Sequence, residues 1–137
     1  MYWAESPEYL YAQYFAIKIM GISIHLDSKI PQIEKEFHQL FPFLKLKFKS
    51  FARKNGSVNP LIEGNGSLRH YRDIEDFKDY QLSPDMKVKE VEAFFREHFD
   101  LIVEVQRLSG NAWIETSMTK DWTLGEQNEQ GKNLSQL

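Results

Sequence analysis

Val88-Lys89-Glu90-Val91-Glu92-Ala93-Phe94-Phe95-Arg96-Glu97-His98-Phe99, followed after one residue by Leu101-Ile102-Val103-Glu104-Val105-Gln106-Arg107, is the stretch on which the fold turns. Val88, Val91, Phe94, Phe95 and Phe99 recur at helical spacing, so the first part reads as an amphipathic helix with one apolar face. Ser83-Pro84-Asp85 opens it. The second part is rich in β-branched residues and places Glu104 and Gln106 at the parity of an outer face, which predicts a strand.

The same order occurs earlier in the chain. Met20, Ile22, Ile24 and Leu26 alternate with Gly21, Ser23 and His25, so a strand is expected from about Ile17 to Leu26. Asp27 and Ser28 offer caps for a helix whose face is Ile30, Ile33, Phe37, Leu40 and Phe41. Pro31 is tolerated in its first turn and Pro42 ends it. A strand follows at once, with Leu44, Leu46 and Phe48 on one side and Lys45, Lys47 and Lys49 on the other. At an offset of 58 residues, Ile30 falls on Val88, Ile33 on Val91, Glu34 on Glu92, Phe37 on Phe95 and Phe41 on Phe99. Two amphipathic helices flanked by strands converge on such a pattern without common descent. Two β-α-β halves predict an α+β domain, a ferredoxin-like split sandwich with two helices on one face of a mainly antiparallel sheet.

Working outward, Ser109-Gly110-Asn111 reads as a turn, and Ala112 to Thr116 as a returning strand added at one edge. Residues 53–69 carry Asn55-Gly56-Ser57 and Gly64-Asn65-Gly66-Ser67 and read as a long loop or wide hairpin. Leu68 to Asp73 and Tyr80 to Leu82 are weak strand candidates. Thr123-Leu124-Gly125-Glu126 has capping-box form, so a short polar helix is expected from there. The expected division is an N-terminal extension at 1–19, one domain at 20–119 and a polar C-terminal tail at 120–137. Met20 could be the translation start, or Tyr9 to Phe15 could form a short aromatic helix docked on the domain.

The run Val105 to Thr116, then Asp121-Trp122-Thr123-Leu124 and Gln127-Asn128, resembles a small family of uncharacterised bacterial proteins. The resemblance extends over about the last 50 residues and the Phe41-to-Lys45 junction. It implies a bacterial cytoplasmic origin and carries no activity, cofactor or site residue.

Composition narrows the function classes. The 137 residues hold 42% apolar residues with ten Phe, enough for a proper core. Lys and Arg total 17 against 20 Asp and Glu, which argues against coating nucleic acid or anionic membrane with the whole surface. The absence of cysteine removes disulfides, thiolate chemistry and Cys-bearing zinc sites, and fits a reducing compartment. No apolar run approaches the roughly 20 residues that span a bilayer. The first residues lack the basic start of a signal peptide, so a cytoplasmic location is expected.

Candidate sites remain few. Lys45, Lys47 and Lys49, with Arg53 and Lys54, put five positive charges in ten residues, with Phe43 and Phe51 at the lysines' parity. Such a face can hold single-stranded nucleic acid by phosphate contact and base stacking. The plainer reading is that lysines solubilise an outer face and discourage edge pairing. His25, His38, His70 and His98 lack metal-ligand spacing, so no metal is expected. Neither a nucleophile motif nor a glycine-rich phosphate loop is present, so no enzyme and no cofactor are expected. Trp122, Leu124 and Trp113 are candidate interface residues, because Trp buries a large area at low entropy cost. The plainer reading packs Trp122 on the domain edge. The expected function is a non-enzymatic protein-interaction or regulatory module, self-associating or binding a protein partner. The alternative is single-stranded nucleic-acid binding through the basic strand face.

Overall fold

The helix Ile30–Leu40, α1, forms where its apolar spacing places it, with Pro31 in the first turn. It ends before Pro42, with the Phe41 N–H donating to the Phe37 carbonyl at 2.8 Å. Asp27 and Ser28 do not cap it. Lys29 is the flanking residue, and the Ser28 hydroxyl instead accepts the His25 backbone N–H at 2.9 Å. This is a computed structural model describing residues 8, 21–52, 57–61 and 66–135. The expected N-terminal extension, apart from residue 8, and the Tyr9-to-Phe15 helix lie outside the described residues.

The strands are β1 (Ile22–Ile24), β2 (Leu44–Ala52), β3 (Val58–Asn59), β4 (Tyr80–Leu82), β5 (Leu101–Ser109) and β6 (Ala112–Glu115). The remaining α-helices among the described residues are α2 (Leu68–Tyr71), α3 (Val88–Phe99) and α4 (Leu124–Ser135), and a 3-10 turn spans Ser117–Thr119. Residues Leu68 to Tyr71, expected as a strand, are a helical turn instead. His70 Nδ1 reaches back to accept the Ser67 N–H at 3.1 Å, a local closure that strand pairing cannot offer. Asp100 ends α3 in the left-handed region at φ 57, a conformation Asp tolerates, and this reversal lets β5 begin at the next residue.

The chain is α+β and its ladders are antiparallel. Among the described residues these ladders do not assemble the split β-α-β sheet expected above. β1 pairs with β4 in a separate two-stranded sheet, while a second sheet has the order β3-β2-β5-β6. β1 and β4, which precede the long helices α1 and α3, pair with each other, and so do β2 and β5, which follow them. Alternation fixes which face a strand buries but does not choose its neighbour.

Both pairings are centred on equivalent residues. In β1–β4 the central pair is Ser23 with Gln81, 58 residues apart, the same offset that aligns the helices. In β2–β5, Lys47 lies opposite Glu104, one residue closer because two residues separate Phe41 from Leu44 but one separates Phe99 from Leu101. The loops obey the same relation. The Leu68 N–H donates to the Ser28 carbonyl and the Arg69 N–H to Leu26; the Leu124 N–H donates to Met86 and the Gly125 N–H to Pro84. Isolated bridges join Lys29 to Ser67 and Lys87 to Thr123. The chain is thus built from two β-α-β-β-α halves about an approximate two-fold axis, with β3 and β6 at the outer edges.

The core lies between the helices and the inner face of the four-stranded sheet. Phe37, Phe95 and Phe99 are buried against Leu44, Leu46, Leu101 and Val105. The Phe48 ring meets Phe95 edge-on, with centroids 4.9 Å apart, in the geometry aromatic quadrupoles favour.

Candidate interaction surface

The segment from Lys120 onwards, expected as a polar tail, is packed into the fold as far as it is described. Thr123 and Glu126 form the expected capping box: the Thr123 hydroxyl accepts the Glu126 N–H at 3.1 Å and the Glu126 carboxylate accepts the Thr123 N–H at 3.3 Å. The buried face of α4 consists of Leu124, Gln127 and Gly131. Gln127 is fully buried yet satisfied. Its amide nitrogen donates to the Thr119 carbonyl at 2.9 Å, and its oxygen accepts from Arg107 at 2.8 Å. Asn128 accepts the Phe43 N–H at 2.9 Å. A Cβ on Gly131 would lie 2.9 Å from that of Phe43, so only glycine allows this approach. The preceding turn is clamped to α3 by Lys89–Asp121 at 2.6 Å and Lys120–Glu92 at 3.3 Å. The Lys89 ammonium holds the Asp121 carboxyl below the usual carboxylate range, and Asp121 raises Lys89 in turn.

These contacts sort the candidate interface residues. Leu124 is 0% exposed and belongs to the core, so it leaves the candidate surface. Trp122 is half-buried, with the Arg107 guanidinium 5.6 Å from its ring centre. Trp113, also half-buried, lies edge-on to His38 at 5.8 Å, and the Lys45 ammonium sits 4.3 Å above its ring.

The basic strand face is diluted by acids and amides. Lys47 and Lys49 are exposed, but Lys49 reaches Glu104 at 3.5 Å and Lys47 stands directly opposite Glu104 in the ladder. Gln106 donates to the same carboxylate at 2.8 Å. Arg53 and Lys54 lie outside the described residues.

Apolar side chains mark the sheet's edges. The exposed large hydrophobic residues among those described are Val58 at 64%, Ile114 at 37% and Met118 at 96%. Val58 is on β3, Ile114 on β6 and Met118 just after β6, so both edges of one sheet carry them. An edge strand presents unpaired N–H and C=O groups, a template for another strand.

A polar cleft of about 530 Å³ was missed by sequence reasoning because its residues lie far apart in the chain. His25 meets Asp79 at 2.6 Å, and Arg69 meets Asp27 at 2.9 Å and Asp73 at 2.6 Å. The Arg69 guanidinium holds Asp27 below the usual carboxylate range. Arg69 is shared by two carboxylates, which leaves little net positive field to attract an anion. Among the described residues no group of three or more His, Cys, Asp or Glu could hold a metal ion, and no helix is long and apolar enough to cross a membrane. Comparison with protein-family models, curated proteins and solved structures finds no match.

Proposed function

We propose that this chain is a non-enzymatic protein-interaction module of the bacterial cytoplasm, which works through the β6 edge of its four-stranded sheet. The observation that carries the reading is the placement of Ile114 and Met118 on and beside an edge strand whose other side is paired. Trp113 and Trp122 supply large half-buried rings close by, the residue type that dominates binding energy at interfaces. Nucleic-acid binding through Lys45, Lys47 and Lys49 is the weaker reading, because Glu104 lies within the same row and cancels part of its field.

The test is a tagged pull-down from bacterial lysate with and without nuclease. Protein captured by the wild type should survive nuclease and be lost in the Ile114→Lys variant. Loss with nuclease, together with binding that weakens steeply with salt and whose log–log salt slope falls by about two when the three lysines are neutralised, would overturn the proposal in favour of nucleic acid.

A further inference from the structure

We infer that the β6 edge takes a second copy of this chain, paired antiparallel about Ile114. This deepens the interaction-module reading and rests on it. The register follows from the hairpin. Gly110, at φ 61, opens a two-residue turn that closes on the pair Ser109–Ala112. In an antiparallel ladder hydrogen-bonded pairs alternate with non-bonded ones. If Ser109–Ala112 exchanges both bonds, so does Arg107–Ile114, and the N–H and C=O groups of Trp113 and Glu115 point away from β5. Pairing about Ile114 sets each Trp113 opposite the Glu115 of the other copy and uses every outward group of the strand. Ile114 then meets Ile114 across the axis and covers its exposed side chain.

The charges complement one another in this register. Leu108 pairs with Trp113, and Lys45 with Gln106 with Glu115, so Lys45, Trp113 and Glu115 share the outer face. The Lys45 ammonium stands 4.3 Å from the centre of the Trp113 ring, and it has no ion pair among the described residues. Glu115 is exposed and, among the described residues, accepts only from the Ser117 hydroxyl. The second copy's carboxylate therefore arrives beside Trp113 under an unneutralised cation, twice by symmetry. The ladder β2–β5 repeats the scheme within one chain, with Lys47 opposite Glu104 outside and Leu46 opposite Val105 inside. A two-fold pairing of identical edges closes on itself and stops at two copies.

Sedimentation equilibrium of the full chain over a wide concentration range reads the outcome. The expected result is reversible association to twice the 16.2 kDa chain mass. Ile114→Lys, which sets like charges opposite each other, should raise the dissociation constant on the order of tenfold. Glu115→Pro removes an outward N–H and leaves the Arg107–Ile114 pairing in place, and it should weaken the dimer similarly. Glu115→Lys should weaken it, and adding Lys45→Glu should restore it, a rescue that misfolding cannot mimic. A monomer at every concentration, or a dimer indifferent to these variants, overturns the inference. If such a monomer still captures a nuclease-resistant protein that Ile114→Lys loses, the interaction-module reading stands and only the identity of the partner falls.

Discussion

Phe95→Ala is expected to lower the free energy of unfolding by about 3–5 kcal/mol, read from urea denaturation. Phe95 is 0% exposed. Its ring lies 4.9 Å from Phe48 and 5.0 Å from Phe94, both edge-on. It sits where α3 of one half meets β2 of the other, so its loss opens a cavity at the join between halves. Phe37, its counterpart 58 residues earlier and equally buried, should show a loss of the same size. Lys47→Ala, on the outer face, should change stability by about 0.5 kcal/mol or less. A loss at Phe95 no larger than that of the lysine control would contradict the packing described.

Leu124→Ala is expected to cost about 2–5 kcal/mol, because Leu124 is 0% exposed and joins the main core. The same substitution at a partner-binding residue would leave the isolated chain's stability nearly unchanged, so denaturation alone separates the two roles. The effect should extend beyond one cavity. The Leu124 N–H anchors α4 to the Met86 carbonyl, and the next turn places Gln127 between Thr119 and Arg107. A helix loosened at its first residue exposes that buried amide and leaves its partners unsatisfied. Stability equal to wild type would return Leu124 to the surface.

Local periodicity made the elements legible and left their partners hidden. The faces of α1 and α3 could be read directly, because Ile33 and Phe37 match Val91 and Phe95 in spacing and are all buried. Strand pairing was not legible in the same way. Ile22 and Ile24 announce a buried side for β1, but nothing in their alternation selects β4 over another edge. The offset of 58 residues held more than it first offered, since both sheets are centred on residues related by it or by one less. The role of α4 was hidden for a different reason. Its buried face is one leucine, one glutamine and one glycine, so an apolar stripe could not reveal it. Its docking depends on an amide network and a close backbone approach, which hydropathy patterns do not register. Among the candidate site residues, Trp113 and Trp122 stayed near the surface, Leu124 moved inside, and the lysine row met its acid on the neighbouring strand. The cleft at His25, Arg69 and Asp79 could not have been found by spacing, because loop closure brings those residues together.

The central claim is that β6 is an open edge that another strand completes, and amide hydrogen exchange tests it most directly. In dilute protein the Trp113 and Glu115 amides should exchange quickly while the Ile114 amide, held against β5, is protected. As concentration rises, Trp113 and Glu115 should gain protection together, with little change at Ile114. Trp113 and Glu115 amides protected even at the lowest concentration, or unaltered while the chain associates, would contradict the account.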